Sequence, residues 1–281
     1  MKRIIVPTDF SEHSLRALEK AVYMARHLDA AISVLYVKKV KKFPSIFSSK
    51  HEDEPGNPEQ NIQELIQNTP HEGIDIDYSI HKGTVSKEII RFAEEKDAYM
   101  IIMGTHGISG FEEIWMGSNA YRVVTNAHCP VLTTRGLYSK RPIKKIVLPI
   151  DTTTYTRHKV PLALDLAKAF KAEIHVTGVC MDETEEFVRK IANYCGQVMR
   201  HLNKAGIHCE HDILTGSNAT EMTLEYARKV DADLICIMTE QETSITNTFL
   251  GPYAQQMVNH SPIPVISLHK RVDLEGNVSI I

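Results

Sequence analysis

Short apolar runs alternate with amphipathic stretches along the first half of the chain. The apolar runs have the length and the β-branched residues of strands, and they cover Ile4–Val6, Ile32–Val37, Ile74–Ile80, Tyr99–Met103 and Val131–Thr134. A helical period follows Ser11, a candidate N-cap, and recurs over Val85–Glu95 and Ser118–Asn126. Because parallel strands need crossover helices and are buried on both sides, the pattern predicts an α/β fold with helices on both faces of a parallel sheet.

The second half of the chain repeats this pattern. The matched positions are Lys2–Asp9 with Lys144–Asp151, Val37 with Val179, Gly83 with Gly216, Met103 with Met238, Gly117 with Gly251, and Pro130-Val131 with Pro264-Val265. Such self-similarity indicates a duplicated unit. We therefore expect two tandem Rossmann-like domains, residues 1–138 and 139–281, each with a five-stranded parallel sheet.

Two segments depart from the alternation. Residues Lys38–Asn61 contain three prolines and a glycine, which predicts a mobile loop and a candidate lid. The C-terminal segment Val272–Ile281 carries the turn-like Glu275-Gly276-Asn277 between apolar residues. It predicts either an added strand or a segment that pairs with a second chain in a homodimer.

Composition and charge narrow the functional class. With 43% hydrophobic and 24% charged residues, the chain is typical of a globular protein with a sizeable core. A net charge of −3 argues against nucleic acid as a partner. No signal-peptide segment follows Met1 and no apolar run approaches the ~18 residues of a membrane span, so we expect a cytoplasmic protein without a membrane partner. Five cysteines without a Cys-x-x-Cys pair predict free thiols.

Candidate chemistry follows the first and fourth predicted strands. In a doubly wound sheet, ligands bind beyond the carboxyl ends of the strands at the switch point. The segment Pro7-Thr8-Asp9 follows the first strand, and a glycine-rich segment from Gly104 to Gly117-Ser118 follows the fourth. Glycines let backbone N–H groups approach phosphate oxygens, and a helix N-terminus adds donors and a favourable dipole. The two segments therefore favour a phosphate-bearing ligand.

The glycine spacing is specific. Gly104, Gly107 and Gly117-Ser118 form the pattern Gly-x2-Gly-x9-Gly-Ser/Thr, which resembles that of the ATP-binding universal stress proteins, and the resemblance covers essentially the whole chain. It implies adenine nucleotide alpha hydrolase-like domains that bind ATP, with Mg²⁺ held through the phosphates. The residues that it implies for adenine, ribose and phosphates are Pro7, Thr8, Asp9, Val37, Met103, Gly104, His106, Gly107, Gly117, Ser118 and Asn119.

Two of these residues have a simpler alternative role. Asp9 either holds the nucleotide or caps the helix that follows it. His106 either bonds a phosphate or faces solvent.

The resemblance also implies how the copies meet. Single-copy universal stress proteins often pair through their last strand, and an exposed strand edge invites pairing. Here we expect Val131–Thr134 and Val265–Leu268 to pair antiparallel within one chain, as an intramolecular pseudo-dimer.

The second copy lacks the glycine pattern. Thr239 and Glu242 match the first two glycines, the spacer to Gly251 is one residue shorter, and Pro252 replaces Ser118. Proline removes a hydroxyl and an N–H donor, and a glutamate repels a triphosphate. We therefore expect one nucleotide per chain, in the first domain.

Recognised catalytic and metal motifs are absent from the sequence. The cluster His208–Asp212 contains metal-ligating residue types, but alternation along a strand divides them between two faces, so we expect a polar edge strand and no metal site. There is no Walker loop, nucleophile elbow or His-Glu-x-x-His helix, and we expect no catalytic residue. Three functions stay open: an ATP-dependent regulatory or stress-response protein, a weak ATPase or nucleotidyl-transfer enzyme, and a nucleotide-independent scaffold or chaperone.

Overall fold

Ten strands form one continuous sheet in the computed structural model, which describes residues 1–40, 56–105, 116–135, 141–239 and 250–269. The strands are β1 (Lys2–Thr8), β2 (Ala30–Lys39), β3 (Ile76–Gly83), β4 (Met100–Gly104), β5 (Val131–Thr134), β6 (Lys145–Ile150), β7 (Glu173–Cys180), β8 (Cys209–Thr215), β9 (Leu234–Met238) and β10 (Val265–Leu268). Their order across the sheet is β3-β2-β1-β4-β5-β10-β9-β6-β7-β8.

Eight α-helices connect these strands within the described ranges. They are α1 (Glu12–Leu28), α2 (Pro58–Gln67), α3 (Val85–Glu95), α4 (Ser118–Asn126), α5 (Val160–Phe170), α6 (Glu185–Lys204), α7 (Ala219–Lys229) and α8 (Pro252–His260), and a 3₁₀ turn, Thr154–Arg157, precedes α5. We call β1–β5 with α1–α4 the first repeat, and β6–β10 with α5–α8 the second repeat. The expected tandem α/β architecture is confirmed.

Helices cover both faces of the sheet because successive strand residues point in opposite directions. Ile4 and Val6 of β1 join the core that also contains buried residues of α1, α2, α5 and α6. The intervening Ile5 joins the core beneath α3, α4, α7 and α8. Each core runs through both repeats, so the two units are packed on shared apolar surfaces.

The repeats meet at one antiparallel pair of strands. Strands within each repeat pair parallel, whereas β5 pairs antiparallel with β10 through Leu132 opposite Ile266. The hydroxyl of Thr133 donates across this seam to the carbonyl of Val265, at 3.2 Å. The prediction that the last strands join the two copies is confirmed.

The predicted loop Lys38–Asn61 was too long at both ends. Its first two residues belong to β2, and its last four form the start of α2. Pro58 stands at the first helical position, where its missing N–H costs nothing, and the side chain of Asn57 caps the helix. Residues 41–55 and the C-terminal segment Val272–Ile281 lie outside the described residues, as does the expected domain boundary between residues 138 and 139.

The structure corrects the alignment of the two glycine segments. Ile101 donates its N–H to Pro130, and Ile235 donates its N–H to Pro264, so these two residues are equivalent. Counting from them, Gly104 corresponds to Met238, not to Thr239.

The segment lengths follow from this register. Met103 corresponds to Ile237, and the N–H of Gly117 donates to Thr105 as that of Gly251 donates to Thr239. The predicted one-residue shortening is therefore wrong for this segment. The extra residue of the second repeat lies between Gly216 and α7, because one residue follows Gly83 before α3 but two follow Gly216 before α7.

Candidate functional site

The candidate site lies where β1 and β4 end side by side. The chain leaves β1 toward β2 on one side, and β4 lies on the other, so the crevice beyond their carboxyl ends is the topological switch point of the first repeat. Thr8 and Asp9 end the first strand there, and Gly104 and Thr105 end the second. The structure thus brings together the two segments that the sequence singled out.

Asp9 forms a tight turn ahead of α1. Its Oδ1 accepts hydrogen bonds from the Ser11 N–H (3.1 Å) and the Ser11 hydroxyl (2.6 Å). The helix cap is Ser11, whose Oγ accepts from the N–H of Ser14 at 3.3 Å. Ser11, and not Asp9, is therefore the N-cap of α1. The carboxylate of Asp9 is held by Ser11 beside the end of β1.

The other residues predicted at the ends of β1 and β2 are buried or partly buried. The hydroxyl of Thr8 is buried, accepts from the N–H of Phe10 at 3.1 Å and lies 3.1 Å from the hydroxyl of Ser14. Pro7 is partly buried in β1, and Val37 is buried near the end of β2. The side chains of Thr8 and Val37 are therefore buried in the fold, and that of Pro7 is partly buried.

Gly104 is required by close packing. A Cβ at this position would lie 2.9 Å from the Cβ and 3.0 Å from the carbonyl oxygen of His13, closer than ordinary contacts allow. The first turn of α1 therefore approaches the end of β4 more closely than any side chain permits. This structural requirement for glycine was not foreseen from the sequence, because it depends on a contact between distant segments.

Gly117 sets the N-terminus of α4. It is the N-cap residue with φ −57° and ψ 146°, so its backbone is accessible to every residue type, and a Cβ would meet only the carbonyl oxygen of Thr105, at 3.4 Å. Among the residues that the structure describes, no side chain caps this helix at its first-turn N–H groups, which begin at Ser118 and Asn119. Ser118 is exposed, and Asn119 is partly buried.

Of three further predicted site residues, the structure describes one. Met103 is buried in β4, where its side chain packs beneath α3 and α4. His106 and Gly107 fall outside the described residues, so both alternatives for His106 stay predictions. The described part of the glycine segment is therefore its two ends.

A residue of the second repeat contacts the end of the glycine segment that precedes Gly117. The side-chain oxygen of Asn259, on α8, accepts the N–H of Met116 at 2.9 Å, and the carbonyl of Asn259 accepts from Arg135 at 2.6 Å. Met116, Ser118 and Asn259 line a cleft of about 480 Å³ between α4 and α8. Sequence reasoning missed Asn259, since no local signal shows that the seam brings it to the other repeat.

The equivalent strand ends of the second repeat keep the aspartate turn and differ in the residues around it. Asp151 accepts from the N–H (2.8 Å) and hydroxyl (2.6 Å) of Thr153, as Asp9 does from Ser11. Met238 replaces the glycine at the strand end, and a 3₁₀ turn replaces the start of the helix.

Two further side chains occupy this region of the second repeat. Lys159 is buried, and its ammonium donates to the carbonyl of Thr156 at 2.5 Å; burial lowers the pKa of this lysine. Tyr253, in the place of Asn119, bonds Thr223 through its hydroxyl at 3.2 Å, and burial raises its pKa. In the first repeat, Ala17 stands at the place of Lys159, and Tyr253 corresponds to the smaller Asn119.

The other candidate chemistry resolves into structural contacts. His175 lies between the carboxylate of Glu173, at 3.0 Å, and the hydroxyl of Tyr226, at 3.1 Å. Within the described ranges, no three His, Cys, Asp or Glu side chains converge as metal ligands. All five cysteines are free, as predicted, and burial raises the pKa of Cys195 and Cys236 to about 12. None of the helices described is both long and apolar enough to span a bilayer.

Comparison with known proteins defines the class of this fold. A universal stress protein from Archaeoglobus fulgidus DSM 4304 superposes with a TM-score of 0.71 over 95% of this chain and 98% of its own, at 21% identity, so the two share the duplicated architecture. The model of the universal stress protein family matches residues 1–135 and again residues 142–269. The chain belongs to the universal stress protein family, with two copies in tandem.

Curated relatives match one copy or both. Universal stress protein MJ0531 of Methanocaldococcus jannaschii is 36% identical over 142 residues, which are 48% of this chain and 82% of the relative. Universal stress protein Slr1230 of Synechocystis is 21% identical over 291 aligned positions, which span 95% of this chain and 99% of the relative. The likeness therefore extends to relatives with the same tandem organisation.

Proposed function

We propose that this chain binds ATP in its first domain, residues 1–138, and acts as a nucleotide-dependent regulatory or stress-response protein. The observation that carries the proposal is the crevice at the switch point, where β1 and β4 end near the N-terminus of α4, which no side chain of the described residues caps. Uncapped first-turn N–H groups and the helix dipole favour phosphate. The eleven residues named from the sequence are the proposed ligands, with the phosphates at Gly104–Asn119.

Mg²⁺ fits this proposal as a companion of the phosphates. The first turn of α4 contains no acidic residue, so this turn itself supplies no carboxylate ligand for a metal. A divalent cation would reach the site on the nucleotide and reduce the repulsion among its oxygens. Asn119 and the hydroxyl of Ser118 are the polar side chains at that end of the crevice.

The second domain, residues 139–281, is proposed as a degenerate copy that supports the first. Met238, Pro252 and Tyr253 stand where the first repeat has Gly104, Ser118 and Asn119. The proline lacks an N–H, and the methionine occupies the place of the glycine, so the crevice is less suited to phosphate. Asn259 favours the supporting role, because it bonds the backbone next to Gly117.

The direct test is calorimetric titration of the full chain with ATP and Mg²⁺, together with mass spectrometry of small molecules released from freshly purified protein. We expect a stoichiometry near one ATP per chain. A stoichiometry near two would contradict the degenerate second copy. Absence of binding and of released nucleotide would favour a nucleotide-independent scaffold, and steady release of phosphate would favour a weak ATPase.

A further inference from the structure

A cleft in the second repeat lies at the edge opposite the crevice described above. It has a volume of about 790 Å³ and is formed where β6, β7 and β8 begin and where α5 and α6 end. Its lysines are Lys144, Lys145, Lys168 and Lys171, and His208 stands beside them. Buried Phe170 and neighbouring alanines supply an apolar part of the wall.

Two carboxylates lie close to these lysines, and one of them is shared with an arginine. Asp233 accepts the backbone N–H groups of Lys144 (2.8 Å) and Lys145 (3.1 Å) and lies 3.4 Å from Arg141. Lys145 lies 3.7 Å from Glu173, which also bonds His175. Lys144, Lys168 and Lys171 are exposed, and their ammonium groups form no ion pair with any residue in the part of the chain that the structure describes. Like charges gathered in one concavity reinforce one another's potential, so the cleft attracts anions.

The first repeat provides an internal comparison. Asp29 and Lys171 occupy the same left-handed position at the ends of α1 and α5, with φ 51° and 53°. Asp75 and His208 accept equivalent backbone hydrogen bonds from the strand beside them. At this edge, Asp29 of the first repeat corresponds to Lys171 of the second, and Asp75 corresponds to His208.

Two arginines at the same edge of the first repeat form ion pairs, and Lys2 lies over the ring of Tyr99 at 4.2 Å. Arg3 lies 2.6 Å from the carboxylate of Asp77, and Arg26 lies 3.3 Å from that of Glu72. Both repeats end two helices at this edge, and helix C-termini favour cations. In the first repeat this edge has Arg26 and His27 in the last turn of α1, no basic residue in the last turn of α2, and Asp29 at a place where a cation would be favoured. Helix dipoles alone therefore do not account for the lysines of the second repeat.

We propose that this lysine cleft, formed by Lys144, Lys145, Lys168, Lys171 and His208, binds a small phosphorylated ligand that carries several negative charges. The volume falls within the range of small-molecule sites, and the cleft is widely open to solvent. Its cations are ammonium groups, which bind phosphate oxygens as point charges rather than through the planar bidentate fork of arginine. The apolar wall beside them accommodates an uncharged part of the ligand.

The test compares a charge-reversed cleft with a matched control in the full chain. The cleft variant is Lys168→Glu with Lys171→Asp, the second of which installs the residue that the first repeat carries in the same backbone conformation. The control, Lys190→Glu with Lys229→Glu, makes the same change in net charge at exposed lysines outside the cleft. The probe is inorganic tripolyphosphate, titrated by calorimetry at fixed ionic strength.

We expect parent and control to bind tripolyphosphate alike and the cleft variant to bind at least about tenfold more weakly, because two attractive charges become repulsive. Since tripolyphosphate could also enter the proposed ATP site, each titration is repeated in the Gly117→Val background. The loss must appear in both backgrounds. Failure of ATP binding would leave this result unchanged, so the two proposals are tested separately.

Equal affinities in all three proteins, or no binding by the parent, would overturn the proposal. Binding of poly-glutamate without binding of tripolyphosphate would also overturn it and favour an acidic protein partner. Thermal melting checks that each variant is folded. If the charge-reversed protein does not fold, Lys144→Gln with Lys168→Gln takes its place, and unchanged affinity in that variant would equally contradict the proposal.

Discussion

The two repeats of this chain share a backbone and differ at the same strand ends. Gly117 and Gly251 cap equivalent helices with φ −57° and −58°, and the aspartate turns after β1 and β6 have the same hydrogen bonds. Yet the crevice is bordered by Gly104 in one repeat and by Met238 in the other. The duplicated core and the helix caps therefore fix the backbone of both repeats, whereas the ligand that each crevice can accept depends on a few side chains.

The largest expected effect separates the two cap glycines. Gly117→Val should weaken ATP binding at least about 1000-fold, ~4 kcal/mol, because a branched side chain would stand among the phosphates. The backbone at this position accepts valine, so the fold should persist. Gly251→Val is the matched control and should leave affinity unchanged. Calorimetry and thermal melting measure both, and equal losses in the two variants would contradict the assignment of the site to the first repeat.

The second prediction concerns the pH dependence of stability, which should depend on a buried lysine at a position where the other repeat has leucine. Lys20 is fully buried in α1 at the position of Leu162, and its ammonium donates to the carbonyl of Arg141 at 2.9 Å. Burial lowers its pKa from 10.5 to about 8; nearby Asp233 opposes the shift and Arg141 adds to it. The unfolded chain therefore holds this proton more tightly than the folded chain.

Stability follows from that sign. The cost of the buried charge is fully present below about pH 8 and disappears as the pH rises toward 10.5, by at most about 3 kcal/mol. Over this range the free energy of unfolding of the parent should rise relative to that of Lys20→Leu. Urea unfolding at several pH values measures the difference. Replacement of the exposed Lys229 by leucine should produce no such trend, and a parallel pH dependence of parent and Lys20→Leu would exclude this role for the lysine.

The third effect tests the close packing at the strand end. Gly104→Ala should destabilise the chain by about 2 kcal/mol, because the added methyl group overlaps the first turn of α1. Alanine ordinarily stabilises a strand relative to glycine, so the sign itself is informative. Gly56→Ala, which meets no atom within 4 Å, is the control and should be neutral. Denaturant unfolding of both variants checks this, and a neutral Gly104→Ala would contradict the packing argument.

The smallest effect concerns the contact between the repeats. Asn259→Ala removes the acceptor of the Met116 N–H, and we expect ATP affinity to fall about threefold to tenfold, ~1 kcal/mol, through looser positioning of the segment before Gly117. The equivalent residue of the first repeat is Thr125, which bonds Tyr121 within its own helix. Thr125→Ala should therefore leave affinity unchanged. If the two variants behave alike in the ATP titration, Asn259 is not a positioning residue.

Much of the fold could be predicted from local patterns. The helices Val85–Glu95 and Ser118–Asn126 and the strand Val131–Thr134 were predicted with the bounds observed, because periodicity and turn residues at both ends agree. The start of α2 was missed although Asn57 and Pro58 are favourable start signals, since they stand in a segment rich in loop residues. Elements were predicted correctly where the periodicity and the flanking turn residues indicated the same bounds.

The candidate site was harder to predict because it depends on distant contacts. The switch-point position of Asp9 and Gly104 followed from strand order, which the alternation of elements indicates. The packing of Gly104 on His13 and the bond from Met116 to Asn259 could not be predicted, since each joins segments that only the assembled sheet brings together. The misplaced alignment of Thr239 has the same cause, because backbone hydrogen bonds rather than residue identity define the equivalence.

The seam between β5 and β10 has a consequence for symmetry. In a dimer of identical chains with a two-fold axis, any residue on one side of the interface appears on the other, so a favourable change must be tolerated twice. A covalently joined pair is free of that condition. Asn259 faces the first repeat while Thr125 at the related place makes a different bond, an asymmetry that identical subunits could not encode. Fusion also makes the pairing of the halves independent of protein concentration, so each half can specialise without the risk of separating.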